Sequence, residues 1–303
     1  MKISSTQIVD SFAEAFVMKY TRLIVTAIDD YWLDVATREF SGYGTSVIGC
    51  DAEVGVESAL DPQATPDGRA GRSLMVFGFS SDALGKAVVN RVGQCLMTCP
   101  TTAVFDGLPE SEKAIGLGKS LRLFGDGYQK SKLLGERRFW RIPVMDGEFV
   151  AEERLGIASG VAGGNFLIQS NDQVSGLAAA RRAVAAISSV VGAITPFPAG
   201  VVRSGSKVGS KYKPLRASTS EAYCPTLRGQ VDSKVVDGAN CVYEIVIDGE
   251  SEKAIETAMK LGIEASIHGS EAGEILAIDA GNYGGELGKY HFKLHDLFAD
   301  SLT

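Results

Sequence analysis

Val242-Tyr243-Glu244-Ile245-Val246-Ile247 is a run of branched and aromatic residues around one carboxylate, and the elements on either side of it decide the fold. The run predicts a strand. A helix is predicted next, capped by Ser251 and running to about Ile267, and residues 274–279 (EILAID) predict a closing strand. The same plan recurs upstream. Residues 165–169 (NFLIQ) predict a strand, about 174–188 a helix and 192–196 a short strand. Earlier still, 73–79 (SLMVFGF) is succeeded by Ser81 and Asp82 as cap-type residues, by Leu84, Val88, Val92 and Cys95 at helical spacing, and by a strand at 101–105. The first unit comprises a strand at 22–27 (RLIVTA), a helix over 30–40 and a strand at 45–50 (TSVIGC). Two split strand–helix–strand units make one ferredoxin-like sandwich, an antiparallel sheet with helices on one face. Four units predict an α+β protein of two such lobes, duplicated in plan rather than in residues. The expected division is 1–150 and 151–303. Residues 121–150, with turn signals at Gly125-Asp126-Gly127 and Asp146-Gly147, are expected to form a hairpin-rich connector. Ordinary crossovers in a single parallel sheet are the alternative topology.

Composition narrows the function classes. The 303 residues are 45% hydrophobic and 22% charged, as in an ordinary folded protein. A net charge of −7 offers no basic field for a phosphate backbone, so nucleic acid is not an expected partner. Five cysteines, an odd number, argue against a disulfide framework, and modest charge content leans to a mesophilic source. The start has no signal-peptide core. The longest apolar stretch, near 178–194, is broken by Arg181 and Arg182, so a cytoplasmic protein without a membrane span is expected.

Several motifs fail their own chemistry. Residues 200–207 (GVVRSGSK) lack the Gly-Lys-Ser/Thr order of a phosphate loop, and 281–285 (GNYGG) leads into a strand-like KYHFKL instead of a dinucleotide helix. Cys95-x-x-x-Cys99 has no second pair and no nearby histidine, and His291 and His295 flank a predicted strand end, so no metal site is expected. No Gly-x-Ser-x-Gly elbow supports a serine nucleophile. The loops at 162–166 (AGGNF) and 280–285 (AGNYGG) share a small–Gly–Asn–aromatic character. It serves equally for tight turns and for close backbone approach to a ligand.

An ordered set of segments resembles one family. These include 42–48 (GYGTSVI), 93–98 (GQCLMT), 100–109 (PTTAVFDGLP), 161–166 (VAGGNF) and 204–210 (SGSKVGS). Residues 217–225 (ASTSEAYCP), 241–247 (CVYEIVI) and 280–289 (AGNYGGELGK) continue it. Together they resemble the formylmethanofuran–tetrahydromethanopterin formyltransferases from near residue 6 to near 298. The resemblance implies two ferredoxin-like lobes and a cofactor-free enzyme, either a homo-oligomer (dimer or tetramer) or a subunit beside a formylmethanofuran hydrolase. It implies reversible formyl transfer between methanofuran and tetrahydromethanopterin. The chain departs from the family pattern after Cys50, after Arg69 and at Arg203, which points to a divergent bacterial type serving formaldehyde oxidation. A stand-alone methanogenesis-type enzyme and a non-catalytic scaffold subunit are the alternatives.

By resemblance, Glu244 is the catalytic proton carrier, and Gln94, Thr98, Asn165, Ser204, Ser206, Lys207 and Tyr283 bind substrate. Alternation along the strand brings the carboxylate to the same place. Val242, Glu244 and Val246 share one face. If that face is covered, desolvation raises the pKa of Glu244 into a range useful for acid–base work; if it is wet, Glu244 is an ordinary surface charge. Arg203, Lys207, Lys211, Lys213 and Arg216 form a basic run suited to substrate carboxylates and phosphate, or to plain solvation.

Overall fold

The computed structural model describes residues 1–301. The chain forms two compact units, one of residues 18–160 and the other of residues 1–17 with 161–303. The expected split at 150/151 thus differs from the observed one. The first 17 residues join the later unit, because Thr6–Ile8 pairs in parallel with Ile275–Asp279 and Phe12–Ala15 pairs with Tyr290–Lys293.

In the 18–160 unit the sheet order is Glu53–Leu60, Gly71–Gly78, Phe12–Thr26, Ala103–Asp106, with antiparallel neighbours throughout. That is the ferredoxin-like order, and the helices Asp30–Ser41 and Ser81–Arg91 are its two crossovers. Asp29 and Ser80 cap them, each accepting from an early backbone N–H. Leu23, Val25, Leu74, Val76 and Val104 of the sheet meet Leu33, Phe40, Leu84 and Val88 of the helices in a dry core.

Two expectations fail in this unit. Residues 45–50 are not a strand: Gly49 and Cys50 both donate to the Ser46 carbonyl, and Val47 N donates to the Glu53 carboxylate. The second strand is Glu53–Leu60, whose alternation is masked by buried Glu57, held by Arg22 at 2.7 Å and by Ser73 at 2.6 Å. Residues 121–150 do form hairpins, but they are no mere connector. Lys130–Leu134, Arg137–Val144 and Gly147–Glu152 make a meander, and the last strand pairs in parallel with Ala103–Asp106. Ile142, Phe149 and Ala151 bury their side chains in the core.

The other unit repeats the plan. Its order is Ile275–Asp279, Ala158–Ser170, Cys241–Gly249, Ala193–Ile194, again antiparallel, with Gln173–Ile187 and Glu252–His268 as crossovers. Asp172 and Ser251 cap these helices. Small residues let them approach: a Cβ on Gly262 would lie 2.9 Å from Ile187 Cδ1 and 3.0 Å from Phe166 Cζ. Phe166, Ile168, Ile245 and Ile247 face the helices. Alternation therefore turns Leu167, Glu244 and Asp279 to the opposite face of the sheet.

Candidate active site

One rung of that sheet aligns two buried carboxylates. Leu167 pairs with Glu244 on one side and with Asp279 on the other, and Val202 adds an antiparallel bridge beyond Glu244. Val202 N donates to Glu244 O at 2.8 Å, and Glu244 N donates back at 3.0 Å. This bridge brings the next turn of the chain over the carboxylate. Gly205 makes the close approach possible: it sits at φ +73, and a Cβ there would meet Ser220 N at 2.7 Å.

Glu244 is 4% exposed. Its Oε1 accepts from Ser206 Oγ at 2.8 Å, while Oε2 is buried with no hydrogen-bond partner among the described residues. Burial pushes its pKa up to about 7, and the Ser206 hydrogen bond pulls the other way. Glu244 also lines a cavity of about 30 Å³, together with Leu167, Val202, Ser204, Thr219 and Tyr223. That is room for one water or one formyl-sized group. A carboxyl poised near neutrality with one vacant oxygen can accept a proton from a neighbouring amine and return it to another.

Asp279 lies on the same face, roughly 10 Å from Glu244 by two strand spacings. Its surroundings are opposite in kind. Oδ1 accepts from Ser11 Oγ at 2.6 Å and from Ala280 N at 2.8 Å, and Oδ2 accepts from Tyr223 Oη at 2.9 Å. Burial and the adjacent Asp279 push the Tyr223 hydroxyl pKa up, with Glu244 adding to the effect. Tyr223 and Asp279 were not singled out in the sequence. A lone carboxylate in an apolar strand, the rule that finds Glu244, also finds Asp279; Tyr223 is visible only as part of the 217–225 segment.

The other expected site residues divide. Ser206 contacts Glu244 directly, and Ser204 lines the cavity with its hydroxyl turned to Gly205 O at 3.0 Å. Tyr283 Oη donates to Ser206 O at 2.9 Å, so it supports the serine. Asn165 is 6% exposed and stitches loops together, donating to Gly163 O and Gly281 O and accepting from Gly281 N at 2.6 Å. Its amide organises the neighbouring glycine loop. Lys207 is exposed and paired with Glu221, whose carboxyl pKa it lowers. Gln94 and Thr98 belong to the 18–160 unit, exposed around a π turn, where Thr98 Oγ1 donates to Gln94 O at 2.6 Å. Arg203, Lys211, Lys213 and Arg216 are exposed on or beside the hairpin Lys207–Val208/Ala217–Ser218. No group of three or more His, Cys, Asp or Glu side chains suited to a metal occurs among the described residues.

Comparison with known proteins covers both halves. Residues 1–144 match the family described as formylmethanofuran-tetrahydromethanopterin formyltransferase, and residues 147–297 match the family described as FTR, proximal lobe. A formylmethanofuran–tetrahydromethanopterin formyltransferase of Methylobacillus flagellatus is 50% identical over 302 residues, covering 99% of this chain and 100% of the relative. The Methanosarcina mazei enzyme of the same name is 47% identical, covering 98% and 100%. Among solved structures, the Methanosarcina barkeri formyltransferase superposes with a TM-score of 0.92 at 45% identity, covering 98% and 100%. A chain of the formyltransferase/hydrolase complex of Methylorubrum extorquens, solved with methylofuran, gives 0.94 at 43% identity, covering 98% of each.

Proposed function

The chain belongs to the formylmethanofuran–tetrahydromethanopterin formyltransferase family, and from that premise we propose that it moves a formyl group reversibly between methanofuran and tetrahydromethanopterin with Glu244 as the proton carrier. The reaction changes no oxidation state. An amine of one carrier attacks the formamide carbon of the other, a C–N bond forms, and the carbonyl oxygen becomes an oxyanion. The attacking nitrogen releases a proton, the departing nitrogen gains one, and the second C–N bond breaks. A single carboxyl near neutrality serves both proton steps, so protons balance within the site. The observation that carries this role is the buried, unpartnered Oε2 of Glu244, a residue that lines a small cavity.

Ser204 lines that cavity, Ser206 holds the Glu244 carboxyl while Tyr283 donates to the Ser206 carbonyl, and Asn165 fixes the loop bearing Tyr283. Arg203, Lys207, Lys211, Lys213 and Arg216 attract the carboxylates of both carriers and the phosphate of the pterin carrier. Gln94 and Thr98 of the 18–160 unit are assigned to substrate binding on the family resemblance. The setting is cytoplasmic formaldehyde oxidation, with the chain as the transferase subunit beside a formylmethanofuran hydrolase; the likeness to a chain of the Methylorubrum complex supports it. No described helix is long and apolar enough to cross a membrane.

Formyl exchange between purified carriers, measured for the wild type and Glu244→Gln, tests the reading. The wild type is expected to turn over and the variant to lose about 10²-fold or more while remaining folded. Equal rates would remove Glu244 from the chemistry. No exchange by the wild type, alone or with its partner subunits, would end the transferase reading in favour of a scaffold.

A further inference from the structure

Glu14 is 1% exposed, yet its carboxylate is well solvated. The solvent is backbone. Its Oε2 accepts from Tyr283 N at 2.8 Å and Gly285 N at 2.9 Å, and its Oε1 accepts from Leu287 N at 2.6 Å and from Gly288 N. Burial raises its pKa, but the four N–H donors outweigh that and hold it below the usual carboxylate value. The loop it gathers has no ladder of its own and turns through Gly284 and Gly285 at φ +85 and +80. Asn165 pins its start at Gly281, and Glu14 pins its body. From this loop the contacts run on to the reactive carboxyl. Tyr283 Oη donates to Ser206 O at 2.9 Å, and Ser206 Oγ donates to Glu244 Oε1 at 2.8 Å. The Tyr283 ring also packs 6.1 Å from that of Phe16, two residues along the strand from Glu14.

We infer that Glu14 is a positioning residue for formyl transfer, holding the 283–288 loop so that Tyr283 fixes Ser206 against the Glu244 carboxyl. The inference rests on the role proposed for Glu244. Ser206 donates to the ionised form, so releasing it favours the protonated form. The other titratable or charged groups facing Glu244 are Arg203, Tyr223 and Cys224 from the covering segment, and Asp279 across Leu167.

The test is the pH dependence of kcat/KM for formyl exchange in Glu14→Gln, Tyr283→Phe and the double variant. Glutamine retains the shape but turns an N–H₂ towards two of the four N–H donors. Each single variant is expected to move the limb set by Glu244 to higher pH, by up to about one unit. Each should also lower kcat/KM about tenfold, and the double variant should do little more than either single one. A lowered melting temperature with an unmoved limb, or additive losses in the double variant, would reduce Glu14 to a structural staple. If Glu14→Gln does not fold, Tyr283→Phe, which deletes one hydroxyl, decides alone: an unmoved limb breaks the chain of contacts. Glu244→Gln run in parallel separates the two ideas. If it too is as active as the wild type, the proton-carrier reading fails; if it alone is inactive, only the role of Glu14 fails.

Discussion

Three carboxylates in one unit share a sequence signature and differ in everything else. Glu14 in FAEAF, Glu244 in VYEIV and Asp279 in LAID each interrupt an apolar strand, and each is at most 4% exposed. Four backbone donors surround the first, two hydroxyls and one N–H the third, and a single hydroxyl the second. Counting donors therefore separates Glu14 and Asp279 from Glu244, the proposed proton carrier, because each hydrogen bond to the ionised form offsets desolvation. The pKa near 7 has a stability consequence. Below about pH 4.5 Glu244 is protonated in both folded and unfolded chains and the burial of charge costs nothing. As pH rises to about 7 the unfolded chain ionises first, so stability falls, by about 3 kcal/mol once the folded group has also ionised. Glu244→Gln removes that loss. Urea unfolding should find the variant equal to the wild type near pH 4.5 and more stable by up to about 3 kcal/mol near pH 8. A constant difference across pH would contradict the raised pKa.

At the scale of elements, local signals were strong where side chains bury on one stripe. The helix Glu252–His268 and its Ser251 cap were predicted from spacing alone, since Ser251 stands just before the first helical turn. Ser251→Ala is expected to lower stability by about 1 kcal/mol, seen as a lower melting temperature with kcat unchanged, because the cap is remote from the cavity. A loss of activity without a change in melting temperature would show that this helix end does more than hold the fold. The failure at residues 45–50 has an equally local cause. TSVIGC carries branched residues at strand spacing, yet its backbone donors go to Ser46 O and Glu53, and Arg91 gathers the neighbouring carbonyls of Phe40, Gly42 and Tyr43. The true strand hid behind Glu57, a buried charge whose partners Arg22 and Ser73 are distant in sequence.

For the whole molecule, the setting is tested by native mass. In extract of its own cells the protein is expected in a mixed assembly that retains a formylmethanofuran hydrolase subunit through size exclusion. Migration as a homo-oligomer free of hydrolase would return the chain to the stand-alone enzyme. The helices Asp30–Ser41, Ser81–Arg91, Gln173–Ile187 and Glu252–His268, the Ser251 cap and the candidate Glu244 were legible in the sequence, because periodicity and capping depend on residues a few positions apart. The attachment of residues 1–17 to the later unit, the rung that aligns Glu244 with Asp279, and the contacts from Glu14 to Ser206 were not. Those depend on which distant donors reach a buried oxygen. A carboxylate's solvation is set by neighbours tens to hundreds of residues away, and only folding brings them together or withholds them.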